Sequence, residues 1–254
     1  MLAIMNAHPR DAHIQFDEGP HIYTIRGEQG YTSVTTWNHS HFSHFDSDKI
    51  VGNIVRSPKM SDPAYKYHGM TRDDILASWD KNRDAASSAG TRTHFNVECY
   101  YNEVDVVDDS VEYQYFMKFV ADHPHLKAHR TEWCVYYEEI KIAGSIDMVF
   151  RDTNTGKYLI YDWKRSKGIE YESYGGKTAT TECIRHLPDT NFWHYSLQLN
   201  VYRKILQDKY DVEIAGMALV VLHPDHHTKT YEVIDVPVMD KEMEDLWAHR
   251  KKTI

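Results

Sequence analysis

Two strand-like runs that carry one aspartate each dominate the pattern of hydrophobic and polar positions in this chain. The runs are GSIDMVF at 144–150 and YLIYDWK at 158–164, separated by the turn formers DTNTG at 152–156. Apolar runs joined by such a turn predict an antiparallel hairpin. With the turn centred between Asn154 and Thr155, Asp147 lies opposite Asp162, with Cβ atoms ~4.5 to 5.5 Å apart. Carboxylates at that spacing predict a divalent-metal site, unless a one-residue bulge changes the register.

Alternation along the second run assigns its side chains to two faces, because residues two apart share a face of a strand. Lys164 is therefore expected beside Asp162, and Trp163 is expected on the opposite, packed face. Buried ionised carboxylates are costly unless a cation or a basic group compensates them. The alternative interpretation is an Asp–Lys salt bridge at the edge of a sheet.

Helical patterns flank the hairpin on both sides. Upstream, residues 87–101 predict a helix on which His94 and Glu98 share a face. His94 could ligate a metal, and Glu98 could hydrogen-bond the imidazole or a water at the metal. A single histidine on a helix can instead be a packed or solvated residue, but its position next to the hairpin favours the ligand.

Downstream, a helix is predicted from about 191 to 207, capped by Asp189 or Thr190. Gln198 and Tyr202 lie four residues apart on it, an arrangement that could equally mark a helix boundary. GMALVVLHP at 216–224 then predicts a further buried strand.

The order of these motifs resembles the RecB-like branch of the PD-(D/E)xK nuclease superfamily. The family pattern is His, Gly-x-x-Asp, Asp-x-Lys and Gln-x-x-x-Tyr. This chain carries it as His94, Gly144 to Asp147, Asp162 to Lys164, and Gln198 to Tyr202, within residues 85–222. The resemblance implies an α/β (α+β) fold with a mixed sheet and a restriction-endonuclease-like core of helix, three strands, helix and strand. N-terminal helical or irregular additions would precede that core.

Two further segments are similar to parts of this family. YTSVTTW at 31–37 is similar to a segment of the mitochondrial-genome-maintenance type of single-strand exonuclease, which favours a free-standing DNA exonuclease. Glu132, in TEWCVYY, could fill the place of a glutamate that the family's first strand often carries. A strand residue that faces solvent is the alternative for Glu132.

The resemblance also implies the chemistry: Mg²⁺- or Mn²⁺-dependent hydrolysis of phosphodiester bonds at DNA ends with single-stranded character. The expected metal ligands are His94, Asp147, Asp162 and the main-chain carbonyl of Trp163. The expected catalytic residues are Lys164, which would orient the attacking water, together with Asp147, Asp162 and Glu98. The expected substrate-binding residues are Gln198 and Tyr202 for the scissile strand or Lys164, and Arg165 and Lys167 for adjacent phosphates.

Two rival functions stay open. One is a catalytically inactive nuclease-like fold that binds DNA or a protein, although such a module would not need Asp147, Asp162 and Lys164 together. The other is a structure-specific or sequence-specific endonuclease, although the sequence contains no separate recognition domain.

Composition predicts one domain of 254 residues with 41% hydrophobic content. We expect an N-terminal extension over 1–84, in which 38–84 could form a helical arch, then a core over 85–222 and a C-terminal extension over 223–254. No apolar run approaches ~20 residues and the amino terminus lacks a signal-like pattern, so we expect a soluble, intracellular protein without membrane partners.

Cysteine and charge patterns narrow the function classes further. Cys99, Cys134 and Cys183 are widely spaced, which predicts free thiols and no four-cysteine iron–sulfur cluster. No GxxxxGK[ST] motif indicates an ATPase. The net charge of −9 argues against nucleic-acid binding in general, but basic residues accumulate just after Asp162. The histidine-rich runs HSHFSH and HPDHH are interpreted as polar loops rather than zinc sites.

Overall fold

The computed structural model describes all residues, 1–254. Its helices are α1 (Leu2–Met5), α2 (Val34–His39), α3 (Ser47–Val55), α4 (Arg72–Tyr101), α5 (Val111–Asp122), α6 (Asn191–Lys209) and α7 (Asp240–Thr253). Its strands are β1 (Ile14–Asp17), β2 (Ile22–Ile25), β3 (Thr32–Ser33), β4 (Leu126–Tyr137), β5 (Ile142–Asp152), β6 (Tyr158–Lys164), β7 (Ile214–Val221) and β8 (Glu232–Asp235). The predicted order of helix, three strands, helix and strand is confirmed as α4, β4 to β6, α6 and β7, with α5 inserted before β4.

A mixed six-stranded sheet forms the core of the fold. The hydrogen-bonded order is β3-β5-β6-β7-β8, and β4 pairs with the other side of β5. β6 runs parallel to β7 and antiparallel to β5. β6 therefore lies in the interior of the sheet, and its Asp–Lys pair is not at a sheet edge.

The hairpin of β5 and β6 has the register that the sequence predicts. Met148 pairs with Tyr161, and Arg151 pairs with Tyr158. The same register carried one residue further places Asp147 against Asp162.

Regular pairing of β5 with β6 stops just before the two aspartates. β6 continues along β7 as far as Lys164, whereas β3 pairs only with Ile142 and Ala143 at the start of β5. Residues 144–147 of β5 consequently have no strand partner on this side, and we refer to them as the β5 gap. The gap gives side chains from neighbouring helices access to the middle of the sheet.

Two buried clusters pack against the sheet, as strand alternation predicts. Ile160 belongs to one cluster, with Ile205 and other apolar residues of α6. Trp163 belongs to the other cluster, with Phe116 and Phe119 of α5. Removal of this apolar surface from water is the main force that holds helices on the sheet.

The chain folds into two compact units, residues 1–43 with 93–254 and residues 44–92. The boundary falls within α4. In the smaller unit, the indole Nε1 of Trp79 donates a hydrogen bond to the Tyr67 hydroxyl at 2.9 Å, and Arg72 pairs with Asp48 at 2.6 Å. None of the helices combines the length and the hydropathy that crossing a membrane requires.

Candidate metal centre

Three potential metal ligands converge beside the β5 gap. His94 of α4, Glu132 of β4 and Asp147 of β5 each present one ligand atom, and all three atoms lie within 4.8 Å of one another. Nδ1 of His94 is 3.5 Å from Oδ2 of Asp147 and 3.9 Å from Oε1 of Glu132. Ligand atoms on opposite sides of one ion are up to ~4.2 Å apart for Mg²⁺–oxygen bonds of ~2.1 Å. Shifts of a few tenths of an ångström would therefore let one ion contact all three.

The orientation of His94 is set by the main chain of β6. Its Nε2 lies 2.9 Å from the carbonyl oxygen of Trp163. A carbonyl can only accept, so Nε2 donates the hydrogen and Nδ1 is turned toward the carboxylates. Metal-ligating histidines are commonly held by such a second hydrogen bond. In this structure the Trp163 carbonyl positions the imidazole of His94. The role of that carbonyl as a metal ligand stays a prediction.

Asp147 bridges the place where the two strands separate. Its Oδ2 accepts a hydrogen bond from the main-chain amide of Trp163 at 3.0 Å, and its side chain is 12% exposed. The carboxylate thus satisfies an amide that no strand partner of β5 reaches. This contact fixes Asp147 in the gap next to His94.

Asp162 and Lys164 form a buried ion pair on the same stretch of β6. Nζ of Lys164 is 2.6 Å from Oδ2 of Asp162, and the two side chains are 16% and 3% exposed. Asp162 is not part of the three-residue group that includes His94. The ammonium of Lys164 also lies 4.4 Å from the centre of the Tyr195 ring.

The electrostatics reflect several charges in a small buried volume. Burial would lower the pKa of His94, but Asp147 and Glu132 outweigh burial and raise the pKa to about 9. Burial raises the pKa of Asp147, although His94 opposes the rise. Burial also raises the pKa of Asp162 to about 6, against the opposing charge of Lys164. Burial would lower the pKa of Lys164, but the two aspartates raise it. Such buried carboxylates favour a compensating cation.

Glu132 has an unusual backbone conformation. Its φ is 42°, in the left-handed region, although its neighbours Thr131 and Trp133 pair regularly with Met148 and Ile146. A non-glycine residue in this region costs of the order of 1–3 kcal/mol. The hydroxyl of Ser145 donates a hydrogen bond to Oε2 of Glu132 at 2.9 Å. The strand therefore adopts a strained conformation at the residue that faces Asp147.

Helix α6 covers the β5 gap with an aromatic ring. A Cβ atom on Gly144 would come within 2.9 Å of the Tyr202 ring and of Val34, so only glycine fits there without movement. Burial raises the pKa of Tyr202 well above its usual value. The structure therefore brings the predicted Gly144 and Tyr202 into contact, and Gln198 lies one turn before Tyr202 on α6.

Besides Asp162, three other charged residues that the sequence predicts for the site lie outside the group of His94, Glu132 and Asp147. The side chain of Glu98 is not among the converging ligands, and burial raises its pKa. Arg165 donates from Nε to Glu112 at 2.6 Å, with side chains 18% and 7% exposed. Lys167 pairs with Asp225 at 2.9 Å on the surface. Their roles in catalysis and phosphate binding stay predictions.

Sequence reasoning did not single out Ser145 and Tyr195. Both had a signal: Ser145 is two residues before Asp147 on a strand, and Tyr195 precedes Gln198 by three residues on a helix. The histidine-rich runs contribute no side chain to the metal group. His41 instead contacts Thr181 at 2.9 Å, and buried His226 lies 3.0 Å from Glu232.

Comparison with known proteins adds little to this geometry. No protein-family model matches the chain. No curated protein matches it. A crystal structure described as a "putative exonuclease" from Eubacterium rectale is similar at 12% sequence identity with a TM-score of 0.31, over 87% of this chain and 77% of that chain. A superposition this loose assigns neither fold nor activity to the protein.

Proposed function

We propose that this protein is a divalent-metal-dependent nuclease that hydrolyses phosphodiester bonds in DNA. The observation that carries the proposal is the convergence of His94, Glu132 and Asp147 within 4.8 Å. Lys164, a buried cation, shares a short stretch of β6 with the main-chain groups that hold His94 and Asp147. A purely structural ion-pair network would not need Glu132 and Asp147 to share the single imidazole of His94.

The donor set fits a hard divalent ion. Two carboxylates and one imidazole suit Mn²⁺ well and Mg²⁺ if water completes the coordination shell. When bound, such an ion would stabilise charge on phosphate oxygens and lower the pKa of water. Asp147 would keep its hydrogen bond from the Trp163 amide while it holds the ion, and the Trp163 carbonyl would keep the imidazole in position.

The other residues would orient the substrate. Lys164 carries its positive charge between Asp162 and the Tyr195 ring, and from there it would polarise the attacking water or the scissile phosphate. Tyr202 closes the β5 gap, and Gln198, one turn earlier on α6, would contact the scissile strand. Asp162 would hold Lys164 in position, and could join the metal ligands if the side chain of Lys164 moves.

The finer assignment is an exonuclease that acts on ends with single-stranded character. Support comes from the similarity of residues 31–37 to the single-strand exonuclease type and from the lack of a base-reading module in the sequence.

End-labelled DNA tests the proposal. Linear and covalently circular molecules of one sequence, single- and double-stranded, are incubated with Mg²⁺, Mn²⁺ or excess chelator. We expect cleavage of linear single strands with either metal, none with chelator, and survival of the circles. Asp147→Asn should abolish cleavage. Rapid cutting of circles would replace the exonuclease assignment by an endonuclease, and full activity in chelator would remove the metal mechanism.

A further inference from the structure

The segment between β6 and α6 presents one tyrosine side chain to solvent on an anchored loop. Tyr174 is 94% exposed, and the two residues after it, Gly175 and Gly176, have φ values of 70° and 68°. Glycine adopts such values readily, and the Gly176 amide donates to the Ser173 carbonyl at 3.3 Å, which closes a turn with Tyr174 and Gly175 at its centre. We refer to residues 171–176 as the Tyr174 loop.

Hydrogen bonds anchor both ends of the Tyr174 loop. Before it, the Glu170 amide donates to Oδ1 of Asn191 at 2.7 Å, and Nδ2 of Asn191 donates to the carbonyl of Gly168 at 3.1 Å. After it, the Asp189 amide donates to the carbonyl of Lys177 at 3.0 Å. The ring of Tyr171 is 4.4 Å from that of Phe192. The two ends of the loop are therefore fixed, while the Tyr174 side chain projects into solvent and does not contribute to the core.

The anchor lies close to Lys164. Asn191 begins α6, and Tyr195 follows one turn later on the same face, ~6 Å along the helix axis. The Tyr195 ring is the one that lies 4.4 Å from the ammonium of Lys164. The chain also connects Lys164 to Gly168 directly along the sequence. A polymer that extends from Lys164 toward the N-terminal end of α6 would therefore reach the Tyr174 loop within a few nucleotides.

The side chain at the tip of the loop decides which group of a nucleic acid it can contact. Charges of both signs flank the tip, with Glu172 before it and Lys177 after it, whereas Tyr174 itself carries no positive charge to attract a phosphate. An aromatic ring face instead takes the face of an unpaired base, and every base has one. Bases inside a duplex are already stacked on both faces and cannot make this contact.

We infer that Tyr174 stacks an unpaired base of the nucleic acid whose phosphate lies at Lys164, and so selects single-stranded over double-stranded substrate. This inference rests on the proposed nuclease function. It assigns the preference for single-stranded over double-stranded nucleic acid to the exposed ring of Tyr174.

Binding of oligonucleotides in excess chelator tests the inference without cleavage. Fluorescent single strands and the matching duplex are titrated with the wild-type protein, Tyr174→Ala and Tyr174→Phe. We expect Tyr174→Ala to weaken single-strand binding by about tenfold or more, the effect of losing one base–aromatic stack, and duplex binding to change little. The slope of affinity against salt should stay the same, because no phosphate contact is lost. Tyr174→Phe keeps the ring and should bind like the wild type.

An abasic scan gives the second measurement. A single abasic site is moved along the strand, and one position should weaken wild-type binding by the same factor as Tyr174→Ala. At that position Tyr174→Ala should cause no further loss, since the stack is already absent. Equal single-strand affinity in wild type and Tyr174→Ala would overturn the inference, as would losses that simply multiply at every position. A ring that serves a protein partner would give the same negative result.

The two proposals fail differently. If the wild-type protein cleaves DNA with metal but Tyr174→Ala keeps its strand preference, only the inference about Tyr174 is wrong. If no metal supports cleavage while single-strand binding depends on Tyr174, the nuclease function is wrong and the protein only binds single strands.

Discussion

A single imidazole connects three elements of the candidate site at the scale of residues. His94 contacts the Trp163 carbonyl of β6 through Nε2 and faces Asp147 of β5 and Glu132 of β4 through Nδ1. Its raised pKa means that, without a metal ion, a proton on Nδ1 provides part of the positive charge between the carboxylates. A divalent ion would take the place of that proton, as expected for a histidine that becomes a ligand.

Substitution of Lys164 should affect the rate of cleavage more than the affinity for DNA. Lys164→Ala should slow the chemical step at least ~10²-fold, the usual effect of losing one electrostatic stabiliser. DNA affinity should fall much less. The variant also leaves the buried Asp162 carboxylate unpaired, at a cost of about 3–5 kcal/mol if the carboxylate stays ionised.

A second substitution, at Asp162, separates the loss of catalysis in Lys164→Ala from its loss of stability. Asp162→Asn in the Lys164→Ala background should recover stability in urea unfolding but no activity. Single-turnover rates on labelled DNA measure the chemistry. A Lys164→Ala protein that cuts at the parental rate would show that Lys164 is only a structural partner of Asp162.

Gly144 is expected to tolerate no side chain. Gly144→Ala places a Cβ atom 2.9 Å from Tyr202 and Val34, so we expect a loss of about 1–3 kcal/mol from overpacking. Gly90→Ala is the matched control, because no atom lies within 4 Å of its added Cβ and α4 should gain up to ~1 kcal/mol. Urea midpoints measure both. Equal midpoints for Gly144→Ala and the wild type would mean that α6 does not pack closely on the β5 gap.

The sequence predicted some of these residues because their geometry is local. Alternation along one strand sufficed to place Asp162 beside Lys164 and Trp163 on the opposite face. Glu132 was left open, because its place opposite Asp147 depends on how β4 pairs with β5 beyond an irregularity between Ala128 and Arg130, which no local pattern of apolar residues indicates. The contact between His94 and the Trp163 carbonyl joins residues far apart in sequence and depends on how α4 packs.

At the scale of elements, the decisive feature is the separation of β5 from β6 beyond Met148 and Tyr161. The hairpin and its register follow from the turn residues and the apolar runs. The β5 gap does not follow from these local features, because it depends on how β3 pairs with β5 and how β7 pairs with β6. Such non-local pairings leave little trace in a short window of sequence.

The end of β6 is tied to α5 by one buried ion pair. Glu112→Gln should leave Arg165 unpaired and destabilise the fold by about 3–5 kcal/mol, and Arg165→Ala should be comparably harmful. Lys167→Ala is the matched control, because its pair with Asp225 is exposed and contributes at most ~1 kcal/mol.

The same three variants test the predicted phosphate contacts. Lys167→Ala should weaken DNA binding and reduce the salt slope by about one unit, if Lys167 contacts a phosphate. Urea unfolding and salt-dependent titrations measure the two effects. A normal unfolding midpoint for Arg165→Ala together with a reduced salt slope would restore Arg165 to the role of a phosphate ligand.

The end of α2 and the loop before α6 meet at a buried histidine. His41 is 4% exposed, and burial, with smaller effects of His249 and Arg250, lowers its pKa to about 4. The folded chain thus binds this proton less readily than the unfolded chain, for which the ordinary value is 6.5. The stability from neutral His41 is complete above pH ~6.5, declines as the pH falls, and reaches its minimum below pH ~4.

His41→Asn isolates this effect, since its amide can still hydrogen-bond the Thr181 hydroxyl. Between pH 7 and pH 5 the wild type should lose about 2 kcal/mol more than the variant, at ~1.4 kcal/mol per pK unit. Urea unfolding at the two pH values measures the difference. Parallel losses in both proteins would show that folding does not lower the pKa of His41.

At the scale of the whole molecule, the sheet with helices on its two faces was largely predictable. Turn residues, periodic segments and their apolar spacing sufficed for α4, the hairpin of β5 and β6, α6 and β7, whereas β4 was expected only from the family resemblance. The sequence did not predict the division into two units, residues 1–43 with 93–254 and residues 44–92. The reason is that α4 runs through the boundary without a break in its helical pattern. The net charge of −9 also gave no direct sign of a DNA partner.

The Mn²⁺ dependence of DNA cleavage tests the central claim most directly. Rates on end-labelled linear single strands are measured across Mn²⁺ concentrations for the wild type, Glu132→Gln and the exposed control Glu244→Gln. If His94, Glu132 and Asp147 hold the ion, Glu132→Gln should raise the Mn²⁺ concentration for half-maximal rate by at least ~10-fold, and Glu244→Gln should match the wild type. Identical Mn²⁺ dependence in all three proteins, or cleavage that continues in excess chelator, would contradict the assignment of this metal centre.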